Sequence, residues 1–219
     1  MAFLCLAASA AAFADAVVVF DERSLFVRNA SCTIPCPVEL TKEPPFLFPF
    51  DDIITGPGFG DWSSSQISSL QPDEMSGVGY TDAFTSLGEG RSRFDVTFSL
   101  DEPHAFDLTG EIEAEGDGAA IAVLTDEDAA LPLFLYTAGS SVGGPLSQPL
   151  DEAGILPSGL YRLEVEGVVV PGLGQGGDAD WSFVLTLPEP DPHGQLLAGI
   201  VALATLHGLR RSSERPATR

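Results

Sequence analysis

Apolar and polar residues alternate with a period of two over much of the chain, which predicts β-strands with one buried face. In "RFDVTFSL", Phe94, Val96, Phe98 and Leu100 point one way and Asp95, Thr97 and Ser99 the other. "AFDLTGEIEAE" sets Phe106, Leu108 and Ile112 against Asp107, Thr109, Glu111 and Glu113. "LYRLEVEGVVV" sets Tyr161, Leu163 and Val165 against Arg162, Glu164 and Glu166, and "WSFVLTL" sets Trp181, Phe183, Leu185 and Leu187 against Ser182 and Thr186. With shorter apolar runs at 17–20, 25–27, 119–124 and 133–136, the pattern predicts roughly eight strands. "DEP", "EGDG", "LPSG" and "PGLGQGG" supply the turns between them. Nothing in 15–187 sustains a 3.6-residue period. The expected fold is therefore all-β, an antiparallel β-sandwich or jelly roll. Only 56–90, rich in Ser and Gly with isolated Ile67, Leu70, Val78, Tyr80 and Phe84, fits either two irregular edge strands or a long surface loop.

The two ends follow a different pattern. Residues 1–14, MAFLCLAASAAAFA, are apolar and uncharged and close on an A-x-A site, which reads as a signal peptide cut before Asp15. Residues 195–209 are apolar except for Thr205 and His207, a little short of the ~20 residues that span a bilayer comfortably. Pro188-Glu189-Pro190 precedes that run, and Arg210-Arg211 follows it as a basic stop that stays on the cytoplasmic side. The expected organisation is a signal peptide at 1–14, a β-sandwich at 15–187 and a sorting tail at 188–219 with a hydrophobic helix at 195–209.

Charge narrows the set of partners. The 219 residues carry 32 Asp and Glu against 10 Lys and Arg, a net charge of −22. Residues 15–187 hold 29 of those acids and only six of the bases. Nucleic acid and anionic lipid rely on Lys and Arg at the interface, so neither suits this body. Cations or neutral polymers suit it better, although acids also serve simply to keep an exported surface soluble.

Candidate chemistry is sparse. Cys32 and Cys36, spaced C-x3-C, are expected to close a local disulfide in an oxidising compartment. His104 is the only histidine in 15–187, which argues against a His/Cys zinc site. Calcium is the one cofactor the composition suits, with Asp126 and Asp128 in "LTDEDAA" and Asp178 and Asp180 in "GGDADW" as ligands, solvated turns being the plainer reading. Trp62, beside Asp61 in a loop-like setting, is the candidate sugar platform, whereas Trp181 falls on an apolar strand face. "GSSVG" matches a nucleophile elbow at Ser141, but Gly144-Pro145 follows where a helix is required. "GLGQGG" likewise precedes a strand and not the helix that a dinucleotide fingerprint needs. No pair among the many carboxylates stands out as a catalytic dyad, and the expectation is a protein that is not an enzyme.

The tail resembles the tripartite PEP-CTERM sorting signal: Pro188-Glu189-Pro190, then the apolar run 195–209, then Arg210-Arg211. That resemblance implies an exosortase-type membrane enzyme as processing partner, in Gram-negative bacteria that make extracellular polysaccharide. It also implies export through the inner membrane and release to the cell surface or extracellular matrix. The body resembles uncharacterised members of the same group, with its "SSSQISS" run and "FDVTFSLDEPHAFDLTGEI" hairpin. A carbohydrate-binding module with calcium-stiffened loops is the alternative function, a surface hydrolase a weaker one, and an ordinary C-terminal anchor the alternative for the tail.

Overall fold

Period-two patterning becomes thirteen strands in the computed structural model, which describes residues 16–29, 39–56, 62–83, 88–139, 142–170 and 176–188. They are β1 (Val17–Asp21), β2 (Ser24–Asn29), β3 (Glu39–Lys42), β4 (Phe50–Thr55), β5 (Trp62–Leu70), β6 (Glu74–Ala83), β7 (Gly88–Leu100), β8 (His104–Gly116), β9 (Gly118–Asp126), β10 (Leu131–Ala138), β11 (Ser147–Leu156), β12 (Gly159–Val169) and β13 (Gly177–Thr186). Two antiparallel sheets result. Sheet A has the order β10-β9-β12-β7-β2-β3, with β1 also paired to β7, and sheet B the order β11-β8-β13-β6-β5-β4.

The last eight strands are nested: β6 pairs with β13, β7 with β12, β8 with β11 and β9 with β10. First with last, second with second-last, and so inward, is the winding of a jelly roll. The strands ahead of β6 extend this barrel on one side, β2 and β3 beyond β7 in sheet A and β5 and β4 beyond β6 in sheet B. The expected sandwich is therefore present.

Alternation built the core. Phe94, Val96, Phe98, Leu163, Val165, Leu108, Ile112, Trp181, Phe183 and Leu185 meet between the sheets, as their pattern predicts. A second, smaller cluster of Leu25, Val27, Phe50, Ile54, Trp62, Ala83 and Val169 lies beyond it. Ser64, Gln66, Ser68, Thr81 and Ser92 are buried too. Ser64 Oγ lies 2.8 Å from Thr81 Oγ1, Ser92 Oγ donates to the Ser65 carbonyl at 3.0 Å and Gln66 Nε2 donates to Ser68 Oγ at 3.1 Å, which gives these buried groups partners. Gln66 Oε1 accepts from no protein donor among the described residues. Arg23, fully buried where β1 gives way to β2, donates to both Asp21 carboxylate oxygens at 2.7 Å and to the Phe48 carbonyl at 2.6 Å.

Residues 56–90, left between strand and loop by the sequence, contribute β5 and β6, two long regular strands inside sheet B. Segments 39–42, 50–55 and 147–156 are further strands that the apolar runs did not mark. Residues 1–14, Cys32, Cys36, Ser141, Glu189, Pro190, the run 195–209, Arg210 and Arg211 lie outside the described residues. Among the described residues, no helix is long and apolar enough to cross a membrane.

Candidate binding face

Charge is divided between the two sheets. The six strands of sheet B hold twelve Asp and Glu and no Lys or Arg. All six basic residues of 15–187 lie elsewhere, and each has an acidic partner: Arg23 with Asp21, Arg28 with Glu89, Lys42 with Asp52, Arg91 with Glu166, Arg93 with Asp95 and Glu164, and Arg162 with Asp95. Arg91, Arg93 and Arg162 form a network on the outer face of sheet A around Asp95, which is 0% exposed.

Register fixes how the carboxylates of sheet B stand. Glu115, Asp178 and Asp82 lie opposite one another on β8, β13 and β6, and Glu113, Asp180 and Tyr80 form the next row. Directly opposed like charges destabilise a sheet. Burial, then Asp178, Glu113 and Asp82, push the Asp180 carboxyl up to about 6. Burial and the Glu115 and Asp82 charges raise Asp178 as well, and burial followed by Asp82 pushes the Tyr80 phenol up to about 12. A cleft of about 340 Å³ opens at this end, lined by Tyr80, Asp82, Glu115, Asp178 and the glycines Gly116 and Gly177.

One row further along, the face becomes apolar. Ser182, Val78, Ile67 and Asp51 are aligned across β13, β6, β5 and β4, with Ile53 beside Ser65 and Tyr80 in the row before. Ile53, Ile67 and Val78 are 59, 62 and 57% exposed, and Val184 is 37% exposed. A second cleft of about 280 Å³ is lined by Asp51, Ile53, Ser65, Ile67, Val78 and Tyr80.

The expected calcium ligands are not brought together. Asp178 and Asp180 stand on sheet B near the start of β9, while Asp126 ends that strand, which separates the two pairs by roughly 30 Å at the usual rise per residue. Asp126 Oδ1 accepts the Ala129 N–H at 2.9 Å within the β9–β10 turn, and Asp128 Oδ2 accepts the Leu160 N–H at 3.1 Å, tying that turn to the start of β12. Among the described residues, no three His, Cys, Asp or Glu side chains are grouped to hold a metal ion. Trp62 is also placed differently from its loop-like expectation: it begins β5, is only 7% exposed and packs in the second core cluster against Gly56 and Gly88, leaving no open ring face for a sugar. Trp181 is core, as its strand position indicates.

The raised Asp180 carboxyl has a testable sign. Its folded-state value of about 6 exceeds the usual 3.8, so the native state holds this proton more tightly than the unfolded chain, and that stabilisation is lost as pH rises from about 4 through 6. Asp180→Asn is therefore expected to raise the melting temperature at pH 7.5 and to leave it nearly unchanged at pH 4. Thermal melts of the two proteins across that range check it.

No family model matches the chain, and no curated protein matches it. Solved structures with some likeness include the enzymatically active domain of bacteriophage CBA120 tailspike protein 4, at 14% identity and a TM-score of 0.29, covering 58% of this chain and 19% of that one. Infectious bursal disease virus, Gt strain, is 12% identical with a TM-score of 0.22, covering 80% of this chain and 58% of that one. This chain thus spans less than two thirds of either, and likenesses this slight say nothing of activity.

Proposed function

We propose that the protein is an exported, non-enzymatic β-sandwich of the cell surface or extracellular matrix, sorted through its C-terminal signal by an exosortase-type membrane enzyme. The observation that carries this reading is the order of Pro188-Glu189-Pro190, the apolar run 195–209 and Arg210-Arg211 directly after the last strand. What supports it is where the packing stops. Leu187 is buried and its N–H donates to the Asp73 carbonyl at 2.8 Å, whereas Pro188 is exposed. Pro188, the first residue of the proposed motif, is thus exposed just after β13.

Glu189 is the residue to test. Flanking prolines restrict φ and disfavour helix at the preceding position, so an acid between them is offered on an extended segment outside the bilayer. A plain anchor has no need of that charge. Glu189→Ala is expected to leave export and insertion intact while uncut chain accumulates in the inner membrane, and replacing Arg210 and Arg211 together by Ser is expected to weaken retention and orientation. Fractionation of the native host, with tags on either side of Pro190, reads both outcomes. Native protein found only as uncut, membrane-held chain, indifferent to Glu189, overturns the sorting reading in favour of an anchor.

A further inference from the structure

We propose that the outer face of sheet B is the docking surface for an extended, arginine- or lysine-bearing segment of a partner polypeptide. Two independent features of the face point to that chemistry. Its strands carry acids and no bases, and Lys42 of sheet A reaches one of those acids, Asp52 on the edge strand β4. Among the described residues no Lys or Arg pairs with Asp82, Glu113, Glu115, Asp178 or Asp180, so the negative field of these rows has no internal cation to neutralise it. Set into the same face is the apolar strip of Ile53, Ile67, Val78 and Val184, all side chains that a soluble sheet would ordinarily turn inward.

Long basic side chains satisfy both at once. Their aliphatic stems lie along apolar surface while the charged head reaches a carboxylate. A segment seated on Val78 and Ile67 has Asp51 in its own row, Asp180 and Asp178 one and two rows to one side, and Glu74 two rows to the other. Rows on one face repeat about every 7 Å, the two-residue step of an extended strand, so alternate side chains of an extended ligand meet successive rows. Its positive charge also offsets the like charges of Asp178, Glu113 and Asp82 around Asp180.

Other occupants fit less well. A second copy would bring the same negative rows face to face, anionic lipid or nucleic acid meets the same repulsion, and the described carboxylates form no group suited to a metal ion.

The test uses the full-length chain in non-ionic detergent and a fluorescent peptide alternating arginine with valine, compared with a glutamate-valine peptide and with calcium alone. The arginine peptide is expected to bind, and to bind more weakly as salt rises. Asp178→Asn with Asp180→Asn is expected to weaken it about tenfold, since two exposed charge pairs are together worth of order one tenfold step. Val78→Ser with Ile67→Ser is expected to weaken it by about the same factor. Glu127→Gln, at the far end of sheet A, is expected to leave it unchanged. Because Asp180→Asn is expected to be stabilising, a melt of each variant separates lost binding from lost fold. Equal binding of the glutamate peptide, indifference to both double variants, or calcium saturating the face and excluding the peptide each overturns the proposal. None of these outcomes depends on how the tail is processed.

Discussion

Asp95→Ala is expected to lower the folding stability by about 3 kcal/mol, the lower end of what removal of one partner from a buried ion pair costs. Asp95 lies in the middle of β7, fully covered, and its Oδ1 and Oδ2 accept from Arg162 Nε and Nη2 at 2.7 and 2.6 Å. Arg93 Nη2 lies 2.7 Å from Oδ2 and is shared with Glu164 at 2.9 Å. Removing the carboxylate leaves two guanidinium groups facing an apolar methyl, with Arg91 also nearby through Glu166 at 3.1 Å. Both arginines keep some access to water, 36% for Arg162 and 22% for Arg93, and for that reason the larger values seen for sealed pairs do not apply. Asp95→Asn preserves shape and one acceptor and is expected to cost less than the alanine change. Urea denaturation compared with Arg162→Ala and the double variant measures the coupling, and additive effects of Asp95→Ala and Arg162→Ala would show that the pair carries no specific energy.

Gly79→Ala is the second large effect, expected to cost more than the 1–3 kcal/mol usual for overpacking a core. Gly79 lies directly opposite Trp181 across β6 and β13. A Cβ there would stand 2.2 Å from Trp181 Cε2, 2.3 Å from Cζ2 and 2.4 Å from Ser92 Oγ. Gly77 gives the same indole its second bed, with a Cβ 2.8 Å from Cζ3. The ring cannot move away, because Nε1 donates to the Ser92 carbonyl at 3.1 Å and Phe183 stacks against it with centroids 5.9 Å apart. Trp181→Ala alone is expected to cost about 3–5 kcal/mol. In that background the added methyl of Gly79→Ala enters a cavity, so the double variant is expected to be much less destabilised than the sum. A strictly additive pair of urea midpoints would mean that the glycine serves another purpose.

The same contact explains what the sequence could not show. Strands β7, β8, β12 and β13 were legible because each supplies its own large inward side chains. In β5 and β6 the alternation of burial exists, but the middle of each strand turns small and polar residues inward. Ser64, Gln66, Ser68, Gly77, Gly79 and Thr81 face inward, and Ile67 and Val78 face solvent. Gly77 and Gly79 fit there because Trp181 and Phe183 arrive from β13 to fill the space, while Ser68 meets the buried Arg23 and Ser64 meets Thr81. Apolar residues then occur on both faces, Trp62, Leu70, Met75 and Ala83 inward and Ile67 and Val78 outward, and the pattern fits irregular edge strands or a loop equally well. The binding face was half legible for a related reason. Asp178 and Asp180 share a strand face by spacing alone, but their neighbours Glu113, Glu115 and Asp82 come from distant strands that only register brings alongside. Trp62 was misplaced because its strand begins just after Asp61 and continues in serines, with none of the apolar alternation that marks a buried ring.

The nesting of the strands also sets the order in which the molecule can be completed. The last strand, β13, is an inner one that lies between β6 and β8 and pairs with both along its whole length. A chain that emerges N-terminus first has β4, β5 and β6 on one side and β8 and β11 on the other, with an open hydrogen-bonding edge on each, until residues 177–186 arrive. Such non-local closure is intrinsically slow, and the waiting edges are where chains stick to one another. A truncation before Gly177 leaves both gaps permanently open, whereas one after Leu187 leaves none. For this architecture the final ten residues of the sandwich act as a latch, and the interval before they appear is when the nascent molecule most needs shielding.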